Sequence, residues 1–139
     1  MGNSQSIRKI NFEDIQIVIK NPELYLLINT LNEYEQTCLI KNTVPIAKEE
    51  MLINQHLVSG KHIRIIIYGK NCNDEKIYKK YQQLLSLGFY NIFIYMGGLF
   101  EWLLLQDIYG QEEFPTTGKE LDVLKYKPTS ILNIHLIRA

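Results

Sequence analysis

Cys72 is the side chain of this sequence best suited to nucleophilic chemistry. It lies in Gly69-Lys70-Asn71-Cys72-Asn73-Asp74-Glu75, a polar loop between the apolar run Ile65-Ile66-Ile67-Tyr68 and a helical pattern. A thiol attacks as its thiolate, which needs converging N–H groups or a cation to lower its pKa. The start of the following helix offers a favourable dipole. Lys70 is the only cation of the loop and could steer an anion. Asp74 and Glu75 act the other way, raising the thiol pKa and repelling anionic substrates. Two roles therefore stand open. In one, Cys72 and Lys70 are catalytic; in the other, Gly69 to Glu75 is a recognition loop whose polar groups bind a partner.

Other chemistries find little support. His56, His62 and His135 are scattered without metal-ligand spacing, so no metal and no cofactor are expected. There is no Gly-x-Ser-x-Gly elbow and no phosphate loop ending in Gly-Lys. Gly97-Gly98 is explained by a turn into a helix. Cys38 precedes Leu39-Ile40 and is expected to pack in the core. With two cysteines there is no disulfide framework, which suits a reduced, cytoplasmic protein.

The N-terminus carries a different signal. Met1-Gly2-Asn3-Ser4-Gln5-Ser6 fits the N-myristoylation pattern, with Gly2 as the acceptor once Met1 is removed. One myristoyl chain gives an association constant of only ~10⁴ M⁻¹, and Arg8 and Lys9 add a weak second signal. Peripheral attachment to an intracellular membrane is the expectation. No apolar run approaches the ~20 residues needed to span a bilayer, and no secretory leader is expected. The formal net charge of zero removes whole-molecule attraction to nucleic acid, so a protein partner is the expected macromolecular ligand.

The elements that must position the loop follow from local pattern. At 139 residues the chain is expected to form one domain. Asn11 caps a helix that carries Phe12, Ile15, Val18 and Ile19 on one face and stops at Asn21-Pro22. Leu24 to Thr30 reads as a strand buried on both faces. A helical turn follows over Asn32 to Gln36, with a short strand over Val44 to Ile46 and a helix over Lys48 to Leu57. His62 to Tyr68 is the strongest strand. A helix runs from Asp74 to Leu87, with Gly88 as its left-handed cap. Asn91 to Tyr95 is the next strand, and Leu99 to Tyr109 the next helix. The tail holds a helical stretch after Lys119, then alternating apolar residues over Ile131 to Ile137 that predict a last strand. Strands separated by helices imply an α/β fold with a mostly parallel sheet covered on both faces. In such sheets sites lie at the carboxyl ends of strands, here after Thr30, Tyr68 and Met96.

These segments resemble the rhodanese-like family. Leu27 to Glu35 is similar to the family's strand-and-acidic-turn segment, and Ile40 to Ile46 to the segment that follows it. Ile65 to Asp74 lies over the active-site strand and loop. Leu87-Gly88-Phe89 and Gly97-Gly98-Leu99-Phe100-Glu101-Trp102 match the closing signature. The resemblance implies a rhodanese-like domain over residues 10–117, preceded by a flexible segment over 1–9 and followed by an extension over 118–139 packed on the domain. It also implies sulfur transfer through a thiol placed directly after the strand. That position holds Gly69. The family's strand-ending aspartate and arginine become Asn29 and Leu31, and its loop arginine has no counterpart. A phosphatase of the related fold group would need a cysteine and an arginine in one loop as well. The expectation is a domain that has lost sulfurtransferase chemistry and serves as a binding or scaffold module. The alternative is an active sulfurtransferase with Cys72 as sulfur acceptor and Lys70 steering the anion.

Overall fold

The computed structural model describes residues 6–132. Its elements are β1 (Arg8–Ile10), α1 (Phe12–Lys20), β2 (Tyr25–Asn29), α2 (Ile46–Ser59), β3 (Arg64–Tyr68), α3 (Lys76–Ser86), β4 (Ile92–Tyr95) and α4 (Gly98–Tyr109), with 3-10 turns at Glu33–Glu35 and Val123–Tyr126. The four strands form one sheet in the order β1-β4-β3-β2, and every pairing is parallel.

Side-chain alternation along the strands divides the core into two layers. Leu26, Ile28, Ile65, Ile67, Ile92 and Ile94 face one way and pack on Ile53 of α2 and Ile77, Tyr81 and Leu84 of α3. Leu27, Ile66, Tyr68 and Tyr95 face the other way, against Ile15 and Val18 of α1 and Leu99, Trp102 and Leu103 of α4. Burial on both faces is why β2 and β3 read as near-continuous apolar runs. Local signals also fall where expected. Asn11 caps α1 in a reciprocal capping box with Asp14. Gly88 adopts φ +99 beyond α3, as a left-handed cap requires.

The structure departs from the sequence expectations at several places. β1 was not anticipated, and the segment expected to be flexible over residues 1–9 overlaps it at Arg8 and Lys9. These exposed charged residues hide the strand from an apolar pattern, yet they suit a sheet edge. Arg8 stays in place by donating to the Tyr90 carbonyl at 2.6 Å, with its guanidinium 4.3 Å from the Phe93 ring centre. The strand expected at Val44 to Ile46 reduces to one bridge between Thr43 and Leu27. Pro45 has no amide to extend a ladder, and α2 takes over at Ile46. At the C-terminal end, Ile131 and Leu132 are exposed and form no strand; the rest of that expected strand, residues 133–137, lies outside the described residues, as does Gly2.

The segment after α4 folds back on the domain. Trp102 donates its indole N–H to the Pro115 carbonyl, and Gln106 reaches the Phe114 carbonyl and the Thr116 hydroxyl. Phe114 stacks edge-on against Trp102 with ring centres 4.9 Å apart. Tyr126 is fully buried in the α1–α4 layer. No helix among the described residues is long and apolar enough to cross a membrane.

Candidate functional site

The loop Gly69 to Glu75 lies at the carboxyl end of β3, beside Thr30 at the end of β2 and the Gly97-Gly98 turn after β4. Two backbone bonds tie it to α4: Leu99 N–H donates to the Gly69 carbonyl and Phe100 N–H to the Lys70 carbonyl, each at 2.9 Å. The loop thereby caps the first turn of α4.

Asp74 organises the loop from inside. Its Oδ2 accepts the Lys70 amide and the Thr30 hydroxyl, both at 3.0 Å, and its Oδ1 accepts the Lys76 amide at 3.0 Å. The carboxylate lies directly against Gly69: a Cβ built on that glycine would stand 2.4 Å from Oδ2. Because Asp74 turns back in this way, α3 begins at Lys76, not at Asp74 as the pattern predicts.

Lys70 is committed to Glu35. Its ammonium lies 2.9 Å from Glu35 Oε2. Burial pushes the Glu35 carboxyl up, but the hydrogen bonds from Lys70 and the Asn32 amide, with the Lys70 charge, outweigh it and leave the pKa below the ordinary value. The lysine expected to steer an anion to Cys72 is thus ion-paired with Glu35 in this structure.

The remaining loop residues divide into inward and outward groups. Asn71 was expected to offer hydrogen bonds to a partner. It is instead buried, donating to the Tyr126 carbonyl at 2.9 Å and accepting the Asn73 amide at 2.9 Å. Cys72, Asn73 and Glu75 are exposed. Among the described residues the Cys72 thiol makes one hydrogen bond, to Asn73 Oδ1 at 3.8 Å, and it precedes the Lys76 start of α3 by several residues. Cys38 packs as expected: its Sγ lies 3.6 Å from the Gly118 carbonyl oxygen, and burial pushes its thiol pKa up.

A cleft of about 490 Å³ opens over the loop, lined by Thr30, Asn32, Lys70, Asn73, Glu75 and Thr129 among others. A larger groove of about 690 Å³ runs between α2 and α3 from Thr30 to Leu87. Sequence reading pointed to the segment after Thr30 but not to the Thr30 hydroxyl, Glu35 or Tyr126 as partners of the loop. The described residues contain no group of His, Cys, Asp and Glu side chains able to hold a metal.

Comparison with known proteins fits this architecture. The sequence model of the rhodanese-like domain matches residues 26–105, from β2 through most of α4. The chain belongs to the rhodanese-like family. No sequence among the curated proteins matches it. Among solved structures, the Alr3790 protein from Anabaena sp. is similar with a TM-score of 0.56 and 20% identity, over 84% of this chain and 97% of that one. The single-domain sulfurtransferase RDL2 from Saccharomyces cerevisiae is similar with a TM-score of 0.52 and 17% identity, over 78% and 98%. The thiosulfate sulfurtransferase from Pseudomonas aeruginosa gives a TM-score of 0.52 and 20% identity, over 70% of this chain and 19% of that one. At these identities the likeness concerns the fold.

Within this rhodanese-like domain, Asn29 at the end of β2 and Leu31 just beyond it belong to the interior. Asn29 exchanges two hydrogen bonds with Gln36, at 3.1 and 2.8 Å, and its Oδ1 accepts the Leu31 amide. Leu31 is buried in the α1–α4 layer. No buried side-chain polar atom among the described residues lacks a hydrogen-bond partner. The loop is internally satisfied.

Proposed function

We propose that this rhodanese-like domain has no sulfurtransferase activity and works as an intracellular protein-binding module. The observation that carries the reading is the absence of a side chain at Gly69, directly after β3, with the loop's only thiol exposed on its outer turn. Persulfide chemistry needs a thiolate surrounded by N–H donors and positive charge. The Cys72 thiol hydrogen-bonds an amide oxygen, that of Asn73, and Lys70 is paired with Glu35. The exposed edge of a rigid loop remains suited to recognition. Cys72, Asn73 and Glu75 would contact the partner, while Gly69, Lys70, Asn71 and Asp74 hold the shape. Acylation of Gly2 would tether the module peripherally to a membrane.

The test combines chemistry and capture. Incubated with thiosulfate, the purified protein should keep its intact mass. A ~32 Da gain that disappears in Cys72→Ser would instead establish the sulfurtransferase alternative. Protein partners captured by the wild type should be lost in the Asn73→Ala/Glu75→Ala variant without loss of thermal stability. Equal capture by both proteins would refute the loop as the recognition surface.

A further inference from the structure

We infer that Asp74 is a resident anion that closes the loop to anionic sulfur donors. This rests on the inactive reading above and names the residue that enforces it.

A side chain at position 69 would start with a Cβ 2.4 Å from Asp74 Oδ2 and 2.8 Å from its Cγ. The volume that a nucleophile directly after β3 would use is therefore occupied by a carboxylate. Its hydrogen bonds come from three parts of the chain: Thr30 after β2, Lys70 in the loop and Lys76 at the start of α3. Backbone N–H groups at a loop and a helix start are the donors that hold bound anions. Here they are taken by an internal charge, and charge-assisted hydrogen bonds of this kind are the stronger sort. A thiosulfate dianion would have to displace that carboxylate and meet its repulsion. The loop's cation gives no compensation, because Glu35 neutralises it at 2.9 Å.

Gly69 and Asp74 thus form a reciprocal pair: the glycine makes room for the carboxylate, and the carboxylate replaces the charge a thiolate would bring. Reversing both should reopen the reaction. The introduced thiolate at position 69 would attack the outer sulfur of thiosulfate. A new S–S bond forms to the protein, the S–S bond of thiosulfate breaks, and sulfite leaves with the bonding pair.

The experiment uses a Cys72→Ser background, so a reactive Cys72, which would undo the inactive reading, stays silent here. Gly69→Cys, Asp74→Ala and the combination are each incubated with thiosulfate and weighed intact. The combination should gain ~32 Da, and Gly69→Cys alone at least about tenfold less. Equal gain in both, or a folded combination that gains nothing, would overturn the role of Asp74. If Gly69→Cys prevents folding, Asp74→Ala alone decides. Its thermal midpoint should rise more with thiosulfate, relative to chloride at equal ionic strength, than that of the Cys72→Ser parent, which shows the general salt effect alone. An identical response of the two proteins would overturn the inference.

Discussion

The carbonyl oxygen of Gly69 lies 2.8 Å from the position a Cβ on Gly98 would occupy, and it accepts the Leu99 amide at 2.9 Å. Gly98 also has φ +69, in the left-handed region that disfavours other residues. The contact is with backbone on both sides, so neither partner can swing away. Gly98→Ala should therefore cost about 2 kcal/mol or more in urea unfolding, through strain and the separation of α4 from the loop. A loss of only a few tenths would mean that the turn relaxes freely.

Asn71 joins the loop to the C-terminal segment through the Tyr126 carbonyl. Asn71→Ala removes this donor, leaving the buried Tyr126 carbonyl without its partner, and also removes the acceptor of the Asn73 amide. The expected loss is about 1–3 kcal/mol. Limited proteolysis should also begin to cut between Tyr126 and Leu132, as the segment loses its attachment. An unchanged cleavage pattern would show that the packing of Tyr126 alone holds it.

The two thiols should differ sharply in reactivity. Cys72 is exposed, whereas Cys38 is buried and its pKa is raised, chiefly by desolvation. A thiol-specific reagent should label Cys72 in the folded protein and Cys38 only on unfolding. Cys72→Ser should change stability by less than about 0.5 kcal/mol, as for an ordinary surface position. Comparable labelling rates in the folded state would contradict the packing around Gly118.

The Lys70–Glu35 pair predicts a pH dependence. The folded pKa of Glu35 lies below its ordinary value, because hydrogen bonds and the Lys70 charge outweigh the upward push of burial. A depressed carboxyl pKa contributes stability that is present above the unfolded pKa and lost as pH falls through the folded one. Lys70→Met should therefore lower the free energy of urea unfolding at pH 7, by no more than about 1 kcal/mol for a partly exposed pair. That difference should shrink progressively below the ordinary glutamate pKa of about 4.3. A gap that persists at pH 3 would assign the effect to packing of the lysine stem.

The sequence by itself determined the elements and the layers they form. Asn11 before two acidic residues stopped one helix from starting elsewhere, and Gly88 ended another. The doubly buried runs of β2 and β3 announced a covered parallel sheet. These signals are local or periodic, so they survive without knowledge of neighbours. They failed where charge masked an edge, as at Arg8 and Lys9, and where proline interrupted a ladder after Val44.

The loop was decided only in three dimensions. Its composition suggested a set of outward hydrogen-bonding groups, with Asp74 and Lys70 among them. Tertiary structure turned Asp74 toward Thr30, 44 positions away in the chain, and Asn71 toward Tyr126, 55 positions away. The physical reason is that a side chain's role depends on which donors and acceptors the fold brings within about 3 Å of it. Spacing along the chain identified the thiol and the empty position after β3. Only the packed sheet put a carboxylate in that space.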